Sequence, residues 1–323
     1  MWITQWRIAS VDSIFSRQHH FAMLTREDIP FLIEKGLISR KTHAVYDGQF
    51  NRALREIPWA EWLSQPSAWR HRPQYLERID QWIHSSHLNH VQGLERFRVR
   101  HLINGTTQTF DEVYMKYAAR RLRVLRGEYA YHRRVVAHHL DIEEAPLEEN
   151  DYVILSAPFC TTGERHPRTY EIFEEAGRKK VPVIVDCAYF GTCLDFELDV
   201  NHPAIESVSF SLSKGLGLGD IRSGVRYSNL EDSNPIAQQN AYDHTVLCAA
   251  RIGLYMMEKF GPDHIPTKFR AAQEEVCREL GLKPTPCMHL ALGDENWKEF
   301  QIAPEYNRVG IRELVKARFK KEI

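Results

Sequence analysis

Ser207-Val-Ser-Phe-Ser-Leu-Ser-Lys-Gly215 is a run of apolar and small residues that ends on a serine-flanked lysine, Lys214. Upstream, Val181-Pro-Val-Ile-Val-Asp-Cys-Ala-Tyr189 ends a second apolar run on Asp186, with Tyr189 three residues on. A third run, Tyr152-Val-Ile-Leu-Ser-Ala157, is bounded by acidic residues before it and Pro158 after it. Each is short and rich in β-branched residues, as strands buried on both faces are. Between residues 157 and 181 lies Thr169-Tyr-Glu-Ile-Phe-Glu-Glu-Ala-Gly-Arg-Lys-Lys180. Its apolar positions recur at helical spacing, and Gly177 and the basic residues suit a helix C-terminus. Strand, helix, strand predicts a right-handed parallel βαβ unit. The fold class is therefore α/β, with a mostly parallel sheet flanked by helices. In such sheets ligands bind beyond the carboxyl ends of the strands. Asp186, Lys214 and the stretch Cys160-Thr-Thr-Gly163 each follow a strand end, so all three should face one crevice.

Each residue type has a chemical reason. A lysine amine can form a Schiff base with an aldehyde and, once released, move a proton between carbon atoms of a substrate. An aspartate beside a pyridine nitrogen keeps it protonated, so the ring can accept a carbanion's electrons. A phenol such as that of Tyr189 tunes the imine by hydrogen bonding. Arg222, eight residues after Lys214, offers a bidentate grip on phosphate. Ser211 and Ser213 add hydroxyl donors. This set is the protein side of a pyridoxal phosphate site.

A second phosphate element lies in His101-Leu-Ile-Asn-Gly-Thr-Thr-Gln-Thr-Phe-Asp-Glu112. At Gly105 the backbone can approach a ligand closely. Thr109-Phe-Asp-Glu112 reads as a capping-box variant, opening a helix with Phe110, Val113, Tyr114, Tyr117 and Ala118 on one side. A Gly-Thr-Thr turn at a helix N-terminus suits an anion.

On Asn104-Gly-Thr-Thr107, Asp186-Cys-Ala-Tyr189, Ser211-Leu-Ser-Lys214 and Arg222, the chain resembles the fold-type I pyridoxal-phosphate enzymes, specifically the class I/II aminotransferases. The resemblance covers roughly residues 70–323, with trimmed segments on both sides of Lys214. It implies a large lobe plus a smaller α+β C-terminal lobe, pyridoxal 5'-phosphate as cofactor, and a homodimer. By resemblance Lys214 holds the cofactor and shuttles the proton, Asp186 faces the pyridine nitrogen and Tyr189 the ring hydroxyl. Gly105, Thr106, Thr107, Ser211, Ser213 and Arg222 hold the phosphate. Gly127-Glu-Tyr-Ala-Tyr-His132 lies where the family stacks an aromatic ring on the cofactor, which selects Tyr129, with Tyr131 as the alternative. Tyr306-Asn-Arg-Val-Gly-Ile311 resembles the segment bearing the substrate-carboxylate arginine, which makes Arg308 the candidate. Tyr75 and Tyr242 are candidates for donation across a dimer interface. One departure stands out: many members carry Asn-Pro-x-Gly or a close variant where this chain reads Cys160-Thr-Thr-Gly163.

Composition bounds the rest. The 323 residues suffice for a large core in two lobes. A net charge of −1 gives no electrostatic case for nucleic acid or membrane. No apolar run reaches membrane-spanning length, and the N-terminus lacks a signal-peptide core. The six cysteines have no paired spacing, which suits a reduced, cytoplasmic setting. The sixteen histidines show no metal-ligand spacing. The basic run around Arg120, Arg121, Arg123 and Arg126 reads as a solvated helix face. Gly215-Leu-Gly-Leu-Gly219 is not a full dinucleotide fingerprint and reads as the loop from Lys214 to Arg222.

Three parts are expected: residues 1–70 packing on the small lobe and partner, 71–235 as the cofactor-binding lobe, and 236–323 as the small lobe. Residues 72–92 read as a helix with Leu76, Ile79, Trp82 and Ile83 on one face. Helices are also expected over residues 245–260, 268–280 and 312–320, and strands at His289–Leu292 and Phe300–Ala303. The leading function is transamination between an amino acid and a 2-oxo acid. The alternatives are another reaction on an amino acid (elimination, decarboxylation, racemisation or oxidation) and a silent cofactor-binding protein.

Overall fold

The computed structural model describes residues 24–64, 71–229 and 234–319. The first 23 residues of the N-terminal segment, and Lys320 at the end of the closing helix, lie outside these ranges. Thirteen strands occur among the described residues. In chain order they are β1 (Asn89–Gln92), β2 (Val99–Ile103), β3 (Arg121–Val124), β4 (His139–Asp141), β5 (Asp151–Ser156), β6 (Val183–Asp186), β7 (Phe196–Asp199), β8 (Ile205–Ser211) and β9 (Gly224–Ser228), then β10 (Lys283–Pro284), β11 (Leu290–Gly293), β12 (Gln301–Ala303) and β13 (Tyr306–Gly310).

A seven-stranded sheet runs in the order β2-β9-β8-β6-β5-β3-β4. β3, β4, β5, β6 and β8 pair in parallel, and β9 runs against both of its neighbours, β8 and β2. Every residue of β5 and β6 is buried, which is why both read as continuous apolar runs rather than alternating ones. The Thr169–Lys179 helix covers the crossover between them and buries Ile172, Phe173 and Ala176. Two smaller sheets complete the chain: parallel β1 with β7, and an antiparallel sheet in the order β10-β11-β13-β12. The Leu247–Lys259 helix and the His264–Leu280 helix lie between the two larger sheets in sequence, and Gly281 ends the second in the left-handed conformation. No helix among the described residues is long and apolar enough to cross a membrane.

Several local expectations differ from the structure. The helix expected over 72–92 spans only Arg72–His84, because Asn89–Gln92 leaves it to pair with β7. Tyr75 joins its inner face, fully buried in its own chain, so it cannot serve a partner's site. Tyr242 is 68% exposed. Gly177 does not cap its helix, which runs on to Lys179 and ends at Lys180 with φ 55°. A Cβ at Gly177 would lie 2.8 Å from His202, so the glycine serves packing. Thr109-Phe-Asp-Glu112 is not a capping box. The helix begins at Thr106 after Gly105, Thr109 Oγ1 lies 3.0 Å from Ser209 Oγ, and Glu112 pairs with buried Arg226. Ala118 lies past the end of that helix and is exposed.

Arg121 and Arg123 of the basic run lie on a strand, β3, and not on a solvated helix face. β3 carries Arg123 into the interior, where it is fully buried. Its guanidinium donates to Asp151 Oδ2 at 2.7 Å and to the carbonyls of Pro146 and Ala145. Burial alone would raise the Asp151 carboxyl. Hydrogen bonds from Arg121, the Glu148 backbone and Arg123 outweigh it and hold the group below its ordinary value. A depressed folded-state pKa contributes stability at neutral pH that is lost as pH falls through the carboxylate range. Asp151→Ala would leave Arg123 buried without its carboxylate. Urea unfolding at neutral pH should show a loss of about 3–5 kcal/mol. A loss below about 1 kcal/mol would mean that the pair behaves like an exposed one.

Candidate active site

The carboxyl ends of β5, β6 and β8 open onto a cavity of about 760 Å³. Asp186 is the last residue of β6, Tyr189 lies three residues on, and Lys214 sits in the Leu212–Gly215 turn that follows β8. All three line the cavity. Lys214 Nζ stands 5.1 Å from the centre of the Tyr189 ring. The Tyr189 hydroxyl lies 3.3 Å from Thr42 Oγ1, and the ring meets His289 edge-on at 4.8 Å. The turns carrying Tyr189 and Lys214 touch backbone to backbone. A Cβ on Gly191 would fall 2.8 Å from the Gly215 Cα, and one on Gly215 2.9 Å from the Gly191 Cα.

Burial controls the charges here. It raises the Asp186 carboxyl to about 7, with Lys214 acting against the shift and Glu128 adding to it. Burial also lowers the Lys214 amine, with Asp186 opposing and Arg222 reinforcing. Both groups are thus pushed toward their neutral forms and restrained by each other. Burial raises the Tyr189 phenol and holds it neutral.

Gly105, Thr106, Thr107, Ser211, Ser213 and Arg222 come together at one side of this cavity. Arg222 Nη2 lies 3.3 Å from both the Asn104 carbonyl and Thr107 Oγ1, and Nη1 lies 3.5 Å from Ser213 Oγ. Ser211 Oγ donates to Ser213 Oγ at 2.9 Å. Gly105 has φ 72°, and a Cβ there would sit 2.6 Å from Arg222 Nη2. A side chain there would strain the backbone and would also force the Arg222 guanidinium to move. The Thr106–Lys116 helix starts here with Arg222 across from its first turn, so N–H groups, hydroxyls and a guanidinium converge.

Tyr129 is 46% exposed and forms part of the cavity wall. Tyr131 stacks on it from outside, bonds Asp111, and is not a lining residue. Arg308, on β13, also lines the cavity. Its Nη1 donates to the Cys160 carbonyl at 3.0 Å and Nη2 to the Arg40 carbonyl at 3.4 Å, while its buried Nε has no partner among the described residues. Cys160 is turned inward, its thiol 3.4 Å from the Gly127 carbonyl. Burial raises that thiol far above its ordinary value.

Sequence reasoning passed over four features. Glu128 is a buried carboxylate in the cavity wall, and a lone Glu beside two tyrosines gave no signal. The segment Arg40–Tyr46 forms a further wall, fastened by an antiparallel bridge between Ser39 and Gly310, but it has no periodicity to read. Arg134 lines the cavity. His289 stands behind Tyr189, fully buried, with neither ring nitrogen partnered among the described residues.

No protein-family model matches the chain, and no curated protein sequence matches it. Solved structures do. A probable N-succinyldiaminopimelate aminotransferase from Thermus thermophilus is similar over 92% of this chain and 98% of that one, with TM-score 0.60 and 16% identity. An aspartate aminotransferase from Thermus thermophilus with maleate is similar over 92% and 94%, with TM-score 0.59 and 13% identity. A putative aminotransferase from Burkholderia pseudomallei is similar over 88% and 100%, with TM-score 0.54 and 13% identity. The fold is that of the aminotransferases. At these identities the likeness speaks for the aminotransferase fold alone.

Gly105→Ala should push the Arg222 guanidinium out of the cradle. Isothermal titration with inorganic phosphate should show an affinity at least about tenfold weaker than wild type. Equal affinities would mean that this cluster is not where an anion binds.

Proposed function

We propose that this chain is a pyridoxal-phosphate-dependent aminotransferase that moves an amino group between an amino acid and a 2-oxo acid. One observation carries the reading: the Lys214 amine, the Asp186 carboxyl and the Gly105–Arg222 cradle all open into a single cavity. The residues fit the cofactor. The Arg222 guanidinium can lie against the Gly105 main chain only because Gly105 has no Cβ. The cavity wall supplies an amine, a buried acid and a phenol. Bound there, pyridoxal phosphate supplies an aldehyde for the amino group and a pyridinium ring that takes up electrons.

The chain's own groups do the rest. Thr106, Thr107, Ser211, Ser213 and Arg222 hold phosphate by hydroxyls, N–H groups and a guanidinium. Asp186 would hold a proton at the ring nitrogen. Tyr189 would offer its neutral hydroxyl to the ring oxygen, and Tyr129, in the cavity wall, would pack against the ring. Lys214 carries the substrate proton between carbons. Burial lowers its amine, which favours the neutral form able to accept that proton. Arg308 holds the substrate carboxylate. A homodimer in the cytoplasm, acting on small molecules rather than on nucleic acid or membrane, belongs to the same reading. So does the division into lobes at residues 71–235 and 236–323.

A second reading has one observation in its favour. Cys160 stands where many members carry an asparagine, and its thiol is turned toward the Gly127 carbonyl. No amide from that position is offered to the ring hydroxyl. This favours another reaction on an amino acid: elimination, decarboxylation, racemisation or oxidation.

Absorbance spectra of the purified protein with added cofactor test both readings. Wild type should show a visible band that borohydride reduction fixes covalently on the Lys214 peptide, and Lys214→Ala should not. One amino acid should bleach the band and a 2-oxo acid should restore it. Release of ammonia or carbon dioxide would favour the second reading. Uptake without turnover would leave a cofactor-binding protein, and no uptake would overturn both readings.

A further inference from the structure

Three donors converge on the Glu128 carboxylate. The Ser156 N–H reaches Oε2 at 2.9 Å, Ser156 Oγ reaches Oε1 at 2.5 Å, and the Tyr129 N–H reaches Oε1 at 2.8 Å. Ser156 Oγ in turn accepts from the Cys160 N–H at 3.0 Å. Glu128 is 3% exposed. With these three contacts the carboxylate accepts through both of its oxygens. Ser156 is also the Cα partner of Asp186 across β5 and β6. Glu128 therefore brings a second buried carboxylate to the strand end beside Asp186.

We propose that Glu128 is a positioning residue of this site, a carboxylate that fastens three chain segments around Asp186 and sets like charge beside it. The segments are the Gly127–Tyr129 turn, the end of β5, and the turn beginning at Cys160. The proposal rests on the cofactor site described above and adds a residue to it.

The surroundings of Asp186 support the electrostatic half. Its carboxyl accepts from the Ala188 N–H at 3.0 Å and from Thr106, and it faces Lys214. Cys187, Tyr114 and Tyr129 also feel its charge, and burial keeps all three neutral. Among these neighbours Glu128 is the one that brings like charge. Like charge favours the protonated acid. Removing it must lower the pH at which Asp186 takes up its proton. An acid that is already protonated can present hydrogen, rather than a second full charge, to an arriving ring.

The test uses cofactor-free protein, so it stands apart from catalysis. The infrared carbonyl stretch of a protonated carboxyl is followed from about pH 5 to about pH 9. Asp186→Asn identifies the band by its loss. In Glu128→Gln, which keeps size and shape, the midpoint should fall by about one pH unit or more. In Ser156→Ala, which loosens the same contacts but keeps the Glu128 charge, the midpoint should stay at or above the wild-type value. A purely structural role would lower the stability of both variants without separating their midpoints. Equal midpoints in wild type and Glu128→Gln would overturn the proposal. Failure of wild type to take up pyridoxal phosphate would overturn the cofactor reading instead, and the titration would still decide what Glu128 does to Asp186.

Discussion

The site depends on the shared direction of β5, β6 and β8. Parallel strands all end at the same edge of a sheet, so whatever follows each of them is brought together. The register makes this quantitative. Ser156 faces Asp186, and Asp186 faces Ser209. The reversed strand β9 adds the remaining pieces. It begins at Gly224, which pairs with Ser211 on one side and with Ile103 on the other. The loop from Leu212 to Ser223 must therefore leave and return at one edge, which sets Arg222 close to Ser211. The turn after Ile103, with Gly105 and Thr106, is held there too. Residues far apart in sequence come together at this edge through hydrogen-bond register and the contacts of Arg222.

Burial then decides how these groups behave. An isolated buried charge is costly unless it is paired and hydrogen-bonded. Away from the cavity, Arg123 with Asp151 and Arg226 with Glu112 meet that cost by close contact. At the cavity the arrangement is different. Lys214 and Asp186 are held near one another yet pushed toward neutrality. Arg308 keeps one buried nitrogen without a partner among the described residues. Groups of this kind can exchange protons or accept a ligand with little rearrangement, whereas the structural pairs cannot.

Much of this was legible in the chain. Short β-branched runs ending on Asp186 and Lys214 gave the strands, their direction and the place where chemistry gathers. Gly105 with Thr106 and Thr107 marked the turn that opens a helix, although the cap was assigned to Thr109 and the helix starts just after Gly105. What was not legible shares a physical cause. Arg123 and Glu128 are charged residues that this fold buries, and a charged residue by itself predicts exposure. Only the partners, Asp151 and Ser156, make burial tolerable, and they are distant in sequence. The wall made by Arg40–Tyr46 has no repeating pattern, because it is held by a bridge from Ser39 to Gly310 and by scattered contacts to Tyr189 and Arg308, not by a helix face or strand. Residues 72–92 looked continuous because nothing in sequence marks a short strand whose partner, β7, lies so far along the chain.

The contact between Gly191 and Gly215 has a consequence of its own. With no side chain between them, the two turns rest on one another backbone to backbone, so the spacing of the main chain that carries Tyr189 and Lys214 is set by main-chain thickness. Substitutions elsewhere in the wall are then free to alter polarity or shape while the spacing of the two turns keeps its setting. A cavity built this way can be refitted for different small molecules without being remachined at its centre.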